Sequence, residues 1–359
     1  MIKVIDRYLL KYFLTSFLVV IVAFSLLIVV INMVEELRDF IDNHILLSQV
    51  VTYYIYFIGW IWKSFLPVFV LLAALISVGM LARRNELLAM KTSGISLYRI
   101  AAPLLIFAFL LSIAHIYYNE FLFAEPNKKR VEMKEYTIKN RSKEAALSAR
   151  NIYRQVNQNL FFVIGSYNVA RQEGADIKLY RSEANKLSEL ITARRIRYTP
   201  RGWMLYDGVK RMFADTNESF APFDSLPAEY IKDKPADFEV PIGKPEDMGY
   251  RELARYIDLM KRTGSPYRRE LVDLKLKISY PLASFIVILI CVPIASNPKR
   301  GGIAVSFALG TGIALLYFVA FKITQSFGYN EKLDPDLSVW LINAVFLLIG
   351  LFILLRTRK

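Results

Sequence analysis

The residues best placed to do chemistry lie in one short charged stretch, Leu81-Ala-Arg-Arg-Asn-Glu-Leu-Leu-Ala-Met-Lys-Thr-Ser-Gly-Ile-Ser-Leu-Tyr-Arg-Ile100. It is rich in helix formers, is caught between two long apolar runs, and has Gly94 as its stop signal. Such a segment can recognise a partner by charge and by a short helical surface. About three helical turns are expected over 83–96, more than a simple reversal needs, as for a lever reaching from a membrane to a soluble partner. Catalytic patterns are absent from the sequence. There is no G-x-x-x-x-G-K-[ST] phosphate loop, no G-x-S-x-G elbow and no H-E-x-x-H pair. His44 and His115 lie far apart, and the lone Cys291 excludes an internal disulfide. The external carboxylates, Glu183 and Glu189 among them, are scattered between Lys and Arg and read as a solvated surface.

The elements that must position this stretch are apolar runs. The chain of 359 residues is 55% hydrophobic, with a mean hydropathy of +0.33. Tyr12 to Met33 carries no charge and would span roughly 33 Å as a helix, enough for a bilayer core. It is too long for a signal-peptide core and is expected to stay as the first span. Further runs lie at about Ile58 to Ala82, Leu97 to Tyr118, Ile278 to Ala295, Ile303 to Phe321 and Leu337 to Leu355. Pro281 and Pro293 bracket the fourth and shorten its regular part. Six spans put both termini on one side.

Charge orients them. The net charge of +14 gathers in part beside the apolar runs, which points to membrane topology rather than nucleic acid. Lys3, Arg7 and Lys11, then Arg83, Arg84, Lys91 and Arg99, then Lys299 and Arg300, then Arg356, Arg358 and Lys359 all fall on one side of a six-span chain. The opposite short loops hold Glu35, Glu36, Asp39 and Asp42, and Glu331, Asp334 and Asp336. The positive-inside rule places both termini in the cytoplasm.

The expected organisation is three spans over 1–118, an external domain over 119–277, and three spans over 278–359. Strand-like pieces recur in the insert: Asn159 to Gly165, Asp176 to Tyr180, Leu190 to Tyr198, Gly202 to Gly208 and Val209 to Phe213. They predict an antiparallel sandwich or open roll, with a hairpin at Pro200-Arg-Gly202 and an inward row including Phe161, Val163, Leu179 and Ile196. A helical connector is expected over 250–277. Leu253, Tyr256, Ile257 and Met260 form one face of its first helix, Gly264 and Pro266 stop it, and Tyr267 to Lys277 leads into the fourth span.

Four local patterns occur in order: Ile5-Asp-Arg-Tyr8, Arg84-Asn-Glu-Leu87 through Ser93-Gly94, Arg268-Arg269 through Lys277 with Pro281-Leu282, and Leu333-Asp-Pro335 followed by Trp340. Together they resemble the LptF/LptG permease family of the lipopolysaccharide exporter, over nearly the whole chain. The resemblance implies an α-helical membrane protein with six transmembrane helices plus an inserted all-β, jellyroll-like periplasmic domain, in the inner membrane of a Gram-negative bacterium. It implies that 83–96 is a coupling helix docking into a cytoplasmic ATPase dimer like LptB, with Glu86 as its acidic contact and Arg84, Leu87, Met90 and Gly94 around it. A carboxylate near a helix start is favoured there and can pair with a partner's cation; the plainer reading is a cap on a loop helix.

The same resemblance implies a second LptF/LptG-type permease, periplasmic jellyroll neighbours like LptC and LptA, and a lipopolysaccharide path between the first and fifth spans. No cofactor is expected in this chain, since ATP and Mg would sit on the ATPase. A phosphorylated lipid needs an apolar wall and a basic rim. Arg38, Lys63 and Lys322 are rim candidates, and Asn32 stands where relatives carry a basic residue. Snorkelling to the headgroups suits Lys322 equally well, while Lys63, flanked by Trp60 and Trp62, reads first as an amphipathic interface residue. Two other readings stay open: a mechanotransmitting ABC subunit, and a membrane-anchored receptor with an external ligand-binding domain.

Overall fold

A computed structural model describes residues 4–139, 148–157, 159–168, 171–183, 186–200, 202–214, 217–238, 244–262, 265–296 and 302–357. Lys3, Gly264, Lys299, Arg300, Arg358 and Lys359, used in the sequence reading, lie outside the described residues, as does Arg201 of the expected hairpin. The chain divides into two compact units: Met1–Arg130 with Glu246–Arg251 and Arg268–Lys359, and Val131–Pro245 with Glu252–Tyr267.

The first unit is helical. Its elements are α1 (Val4–Asp42), α2 (Leu47–Arg83), α3 (Glu86–Thr92), α4 (Leu97–Tyr117), α7 (Arg268–Ser279), α8 (Ala283–Ala295), α9 (Gly302–Tyr329) and α10 (Pro335–Arg356), together with the start of two elements that run into the second unit. Among the described residues, five helices are long and apolar enough to cross a membrane, and α7 with α8, bent by 50°, makes a sixth candidate. At 13 residues, α8 spans only about 20 Å, short of the roughly 30 Å hydrocarbon core. Pro281 sits in the break between α7 and α8, where its missing N–H and fixed φ end the first helix.

Contacts at the two ends of the bundle show that the bent pair runs from one end to the other, as a single candidate span would. Near the start of α7, the Arg268 guanidinium donates to the Leu333 carbonyl at 2.7 Å, and further along Lys275 meets Asp336 at 2.5 Å. At the end of α8, the Ser296 carbonyl accepts from Lys91 at 3.4 Å. Asp6 meets Arg99 at 2.6 Å, and Tyr98 donates to the Leu355 carbonyl at 3.4 Å. The start of α1, α3, the end of α8 and the end of α10 therefore share one end of the bundle.

Side-chain exposure fits this architecture. Nearly every residue of α8 is buried, so it forms the centre, wrapped by α2, α4, α9 and α10 in one apolar cluster. In contrast α1 exposes Leu18, Val22, Leu26 and Val34. A helix apolar on its outward side needs lipid or another subunit for solvent.

The helices outrun their apolar runs. Glu35, Glu36, Asp39 and Asp42, expected in a loop, form the last turns of α1. The helix that begins as α4 continues past Tyr118 to Ile138, through wide π-type turns at Tyr118–Phe123 and Met133–Ile138 that flank α5 (Ala124–Glu132). The expected boundary at 118/119 marks only where apolar residues give way to polar helix formers. The connector expected over 250–277 is two helices, α6 (Tyr250–Arg262) and α7, and α7 belongs to the helical unit.

The second unit holds one antiparallel sheet, β1 (Ser148–Asn157), β2 (Leu160–Asn168), β3 (Glu173–Glu183), β4 (Lys186–Thr199), β5 (Gly202–Ala214) and β6 (Asn217–Pro227), each paired with its sequence neighbour. The order is an open meander, so the expected jellyroll takes a simpler form without Greek-key crossovers among the described strands. The two segments read around Gly208 are the single strand β5, and β4 pairs antiparallel with it, Thr199 opposite Gly202, where the hairpin is expected. Leu160, Phe162, Ile164, Ile177, Leu179, Ile191, Ile196 and Leu205 make the buried face, with Ala228, Ile231 and Phe238 in the same cluster. Phe161, expected inward, is 43% exposed and stacks on Tyr180 at 4.8 Å; Val163 is only half-buried. A shift of one residue sends a strand's side chains to the other face. On that other face a cavity of about 720 Å³ is lined by Val163, Asp176, Lys178, Tyr180, Arg194 and Val209, among others.

Candidate functional site

The link between α2 and α4 is built by two left-handed residues. α2 runs to Arg83, and Asn85 at φ 56° turns the chain before α3; Asn tolerates this conformation better than most residues. Gly94 at φ 83° closes α3. Its N–H donates to the Lys91 carbonyl and the Ile95 N–H to the Met90 carbonyl, both at 3.0 Å, a Schellman closure that glycine enters without strain. The expected helix over 83–96 is therefore seven residues long, Glu86–Thr92, because the turn at Asn85 separates it from α2.

Seven residues cannot hold a helix in water without tertiary support. Leu87 supplies it from below, buried in the cluster that contains Leu9, Leu97 and Ile100, with Met90 packed at the edge. Of the five residues singled out on this segment, Leu87 and Met90 thus point inward and Gly94 is the turn. The outward face is Leu88, 59% exposed, with Ala89 and Thr92. Lys91 is tied back to the Ser296 carbonyl, and burial lowers its ammonium below the ordinary lysine value.

Glu86 and Arg84 join residues that sequence reasoning had given no role. The Tyr8 hydroxyl donates to Glu86 Oε2 at 2.5 Å. Arg84 Nη1 donates to the Tyr12 hydroxyl at 2.5 Å and lies 3.9 Å from Glu86 Oε1. Tyr8 and Tyr12, one turn apart, bring their rings to 4.9 Å. The Glu86 side chain keeps 29% exposure, with one carboxylate oxygen held by Tyr8 and the other within ion-pair distance of Arg84. The Ile5-Asp-Arg-Tyr8 motif was the available signal for this arrangement.

The four lipid-path candidates each find separate surroundings. Arg38 pairs with Asp42 one turn on at 3.4 Å and is exposed. Asn32 keeps its Oδ1 out of solvent without a hydrogen-bond partner among the described residues. Lys322 donates to Gln325 at 2.9 Å, and Gln325 continues through Tyr329 to Asp273. Lys63 is engaged inside the helical unit: its ammonium meets Asp247 at 3.0 Å and the Glu246 carbonyl at 2.8 Å, over the Phe123 ring. Lys277 reaches the Glu246 and Met248 carbonyls, and Glu120 accepts from the Tyr250 N–H. These bonds fasten residues 246–250 to the bundle.

A bundle with five to six candidate crossings, a sheet inserted after the third, and a short exposed helix braced beside the chain's two ends define a multi-pass transmembrane subunit of the permease class. The family model for the lipopolysaccharide export system permease LptF/LptG matches residues 7–356, and the chain belongs to that family. It is similar to the lipopolysaccharide export system permease protein LptG of Escherichia coli K12, 22% identical over 306 residues that cover 82% of each chain. The LptG protein of Escherichia coli O6:H1 matches to the same extent. The chain is thus a non-catalytic transmembrane permease of the lipopolysaccharide export system.

Proposed function

We propose that α3 is the docking surface for a cytoplasmic ATPase dimer like LptB, and that the end of the bundle holding α3 faces the cytoplasm. One observation carries this reading. The exposed Leu88 face of α3 shares a bundle end with the start of α1 and the end of α10, so Arg7, Lys11, Arg83, Arg84, Arg99 and Arg356 gather there. Glu86, still partly exposed beside Arg84, would meet a partner's cation, and Leu88 would supply apolar contact. ATP and Mg belong to the ATPase.

The outward apolar side of α1, with α9, would line a lipid path shared with a second LptF/LptG-type permease. The sheet would then lie in the periplasm of a Gram-negative cell. Its end strands β1 and β6 are unpaired on one side in the described order, which suits edge addition to LptC- or LptA-like neighbours. Lipopolysaccharide drawn from the outer leaflet of the inner membrane would pass along the domain. Arg38 and Lys322 remain rim candidates, whereas Lys63 serves better as an internal fastening.

Affinity purification of the tagged chain from its own membranes, with identification of its companions, tests this. The expected companions are an ATPase and a second permease, with Glu86→Lys losing the ATPase while retaining the permease. Full recovery of the ATPase with Glu86→Lys would refute docking through α3.

A further inference from the structure

The contacts of the first two turns of α1 are specific and two-pronged. Asp6, Leu9 and Phe13 fall on one buried face, as the spacing of three and four residues requires. That face meets α4: Asp6 bonds Arg99 at 2.6 Å, and Phe13 packs edge-on against Phe107 at 5.5 Å. Tyr8 and Tyr12 form the neighbouring face and meet the other end of the link, at Glu86 and Arg84. One helix start thus holds both ends of the 84–99 segment, from positions two residues apart in sequence. The Asp6 side chain keeps only 8% exposure, so this is a set geometry and not a surface pair that forms and breaks freely.

From this we infer that Asp6 and Tyr8 are positioning residues: they clamp the two ends of the α3 link to α1, so that a push on α3 is delivered to α1 rather than absorbed by the loop. The inference rests on α3 being the ATPase docking helix, and it adds which span receives the stroke. The seven-residue helix is entered through a left-handed Asn85 and left through a left-handed Gly94, so neither neighbouring helix runs straight into it. Leu87 and Met90 hold its inward face down and Lys91 ties its last turn to the Ser296 carbonyl; the Tyr8 bond holds its first turn to α1 and aims the Glu86 carboxylate. α1 then carries the displacement along the face that it turns away from the bundle.

The test uses the full complex, with ATPase and second permease, in proteoliposomes containing lipopolysaccharide. Tyr8→Phe removes one hydroxyl and leaves the ring contact with Tyr12. Release of lipopolysaccharide per ATP hydrolysed is expected to fall by about tenfold or more, as for loss of one hydrogen bond to a charged group, with the ATPase still bound. Tyr8→Phe combined with Glu86→Gln should be no worse than the more severe single change, since both act on one bond. Spin labels at Ser93 at the end of α3 and Leu18 on α1, both exposed, should keep a narrow distance distribution through the nucleotide cycle, broadened by Tyr8→Phe.

Asp6→Asn puts folding at risk, so the exchange Asp6→Arg with Arg99→Asp accompanies it and should restore release per ATP above the Asp6→Asn level. Unchanged release per ATP with an unchanged distance distribution in Tyr8→Phe overturns the clamp. Loss of the ATPase from Tyr8→Phe also overturns it, because Tyr8 would then serve docking and not transmission. Failure of the underlying reading looks different: Glu86→Lys would retain the ATPase whatever Tyr8→Phe does.

Discussion

Replacing Lys63 by Met tests whether this lysine fastens the 246–250 segment or serves lipid. Its ammonium lies 3.0 Å from Asp247, and the two side chains are 19% and 13% exposed. Removing it leaves a carboxylate mostly out of water without its main cation, and breaking such a pair costs about 3–5 kcal/mol. Lys277 reaches the neighbouring Glu246 and Met248 carbonyls and takes up part of the charge, so a value somewhat below that range, about 2.5 kcal/mol, is expected. At about 2–4 °C per kcal/mol for a large domain, the melting temperature should drop by roughly 5–10 °C. Intrinsic fluorescence in detergent reads this directly, with Trp60 and Trp62 beside the site. The double change Lys63→Met with Asp247→Leu should recover most of the loss, because an apolar replacement of a buried pair is often neutral. A Lys63→Met protein that melts with the wild type, or a double variant no better than the single one, would refute the fastening. A lipid-binding lysine would instead lower lipid cross-linking without changing the melting temperature.

Three further outcomes follow from packing. Leu87→Ala removes the buried anchor of α3 at a local cost of about 2–5 kcal/mol and should abolish ATPase copurification without lowering expression, whereas Leu88→Ala should weaken copurification only partially. Phe162→Ala should destabilise the sheet by about 3–5 kcal/mol and Phe161→Ala by less than about 1 kcal/mol, read as protease resistance of the β-domain in the full chain. Gly350→Leu should lower the melting temperature by an amount corresponding to about 1–3 kcal/mol. A Cβ at Gly350 would already stand 2.9 Å from Leu289 and 3.1 Å from Ile290, while Gly312→Leu, with nothing within 4 Å, serves as the control.

The sequence revealed what depends on local pattern. Apolar runs located the crossings, since lipid demands about twenty apolar residues in a row. The Gly94 stop was legible because a left-handed helix end selects glycine. Helix lengths were not legible, because polar helix formers such as Glu35, Glu36 and Arg38 carry α1 on beyond the apolar core. β1 and β6 escaped notice: the first is largely polar, and the second contains Pro222 and Pro227, which argue against a strand until it is seen to be an edge. The inward row went wrong at Phe161 because β2 is apolar on both faces around Leu160-Phe-Phe-Val-Ile164, leaving no alternation to read. The Tyr8–Glu86 bond joins positions 78 apart; a motif hinted that Tyr8 mattered, but no spacing rule connects it to Glu86.

The central claim is that this permease turns ATP hydrolysis, received at α3, into outward movement of lipopolysaccharide. Reconstitution of the chain with its ATPase and partner permease, followed by transfer of labelled lipopolysaccharide from vesicles to a soluble periplasmic acceptor, measures that directly. ATP-dependent transfer that disappears with Glu86→Lys is the expected result. Transfer that proceeds equally without ATP, or unimpaired with Glu86→Lys, would contradict it.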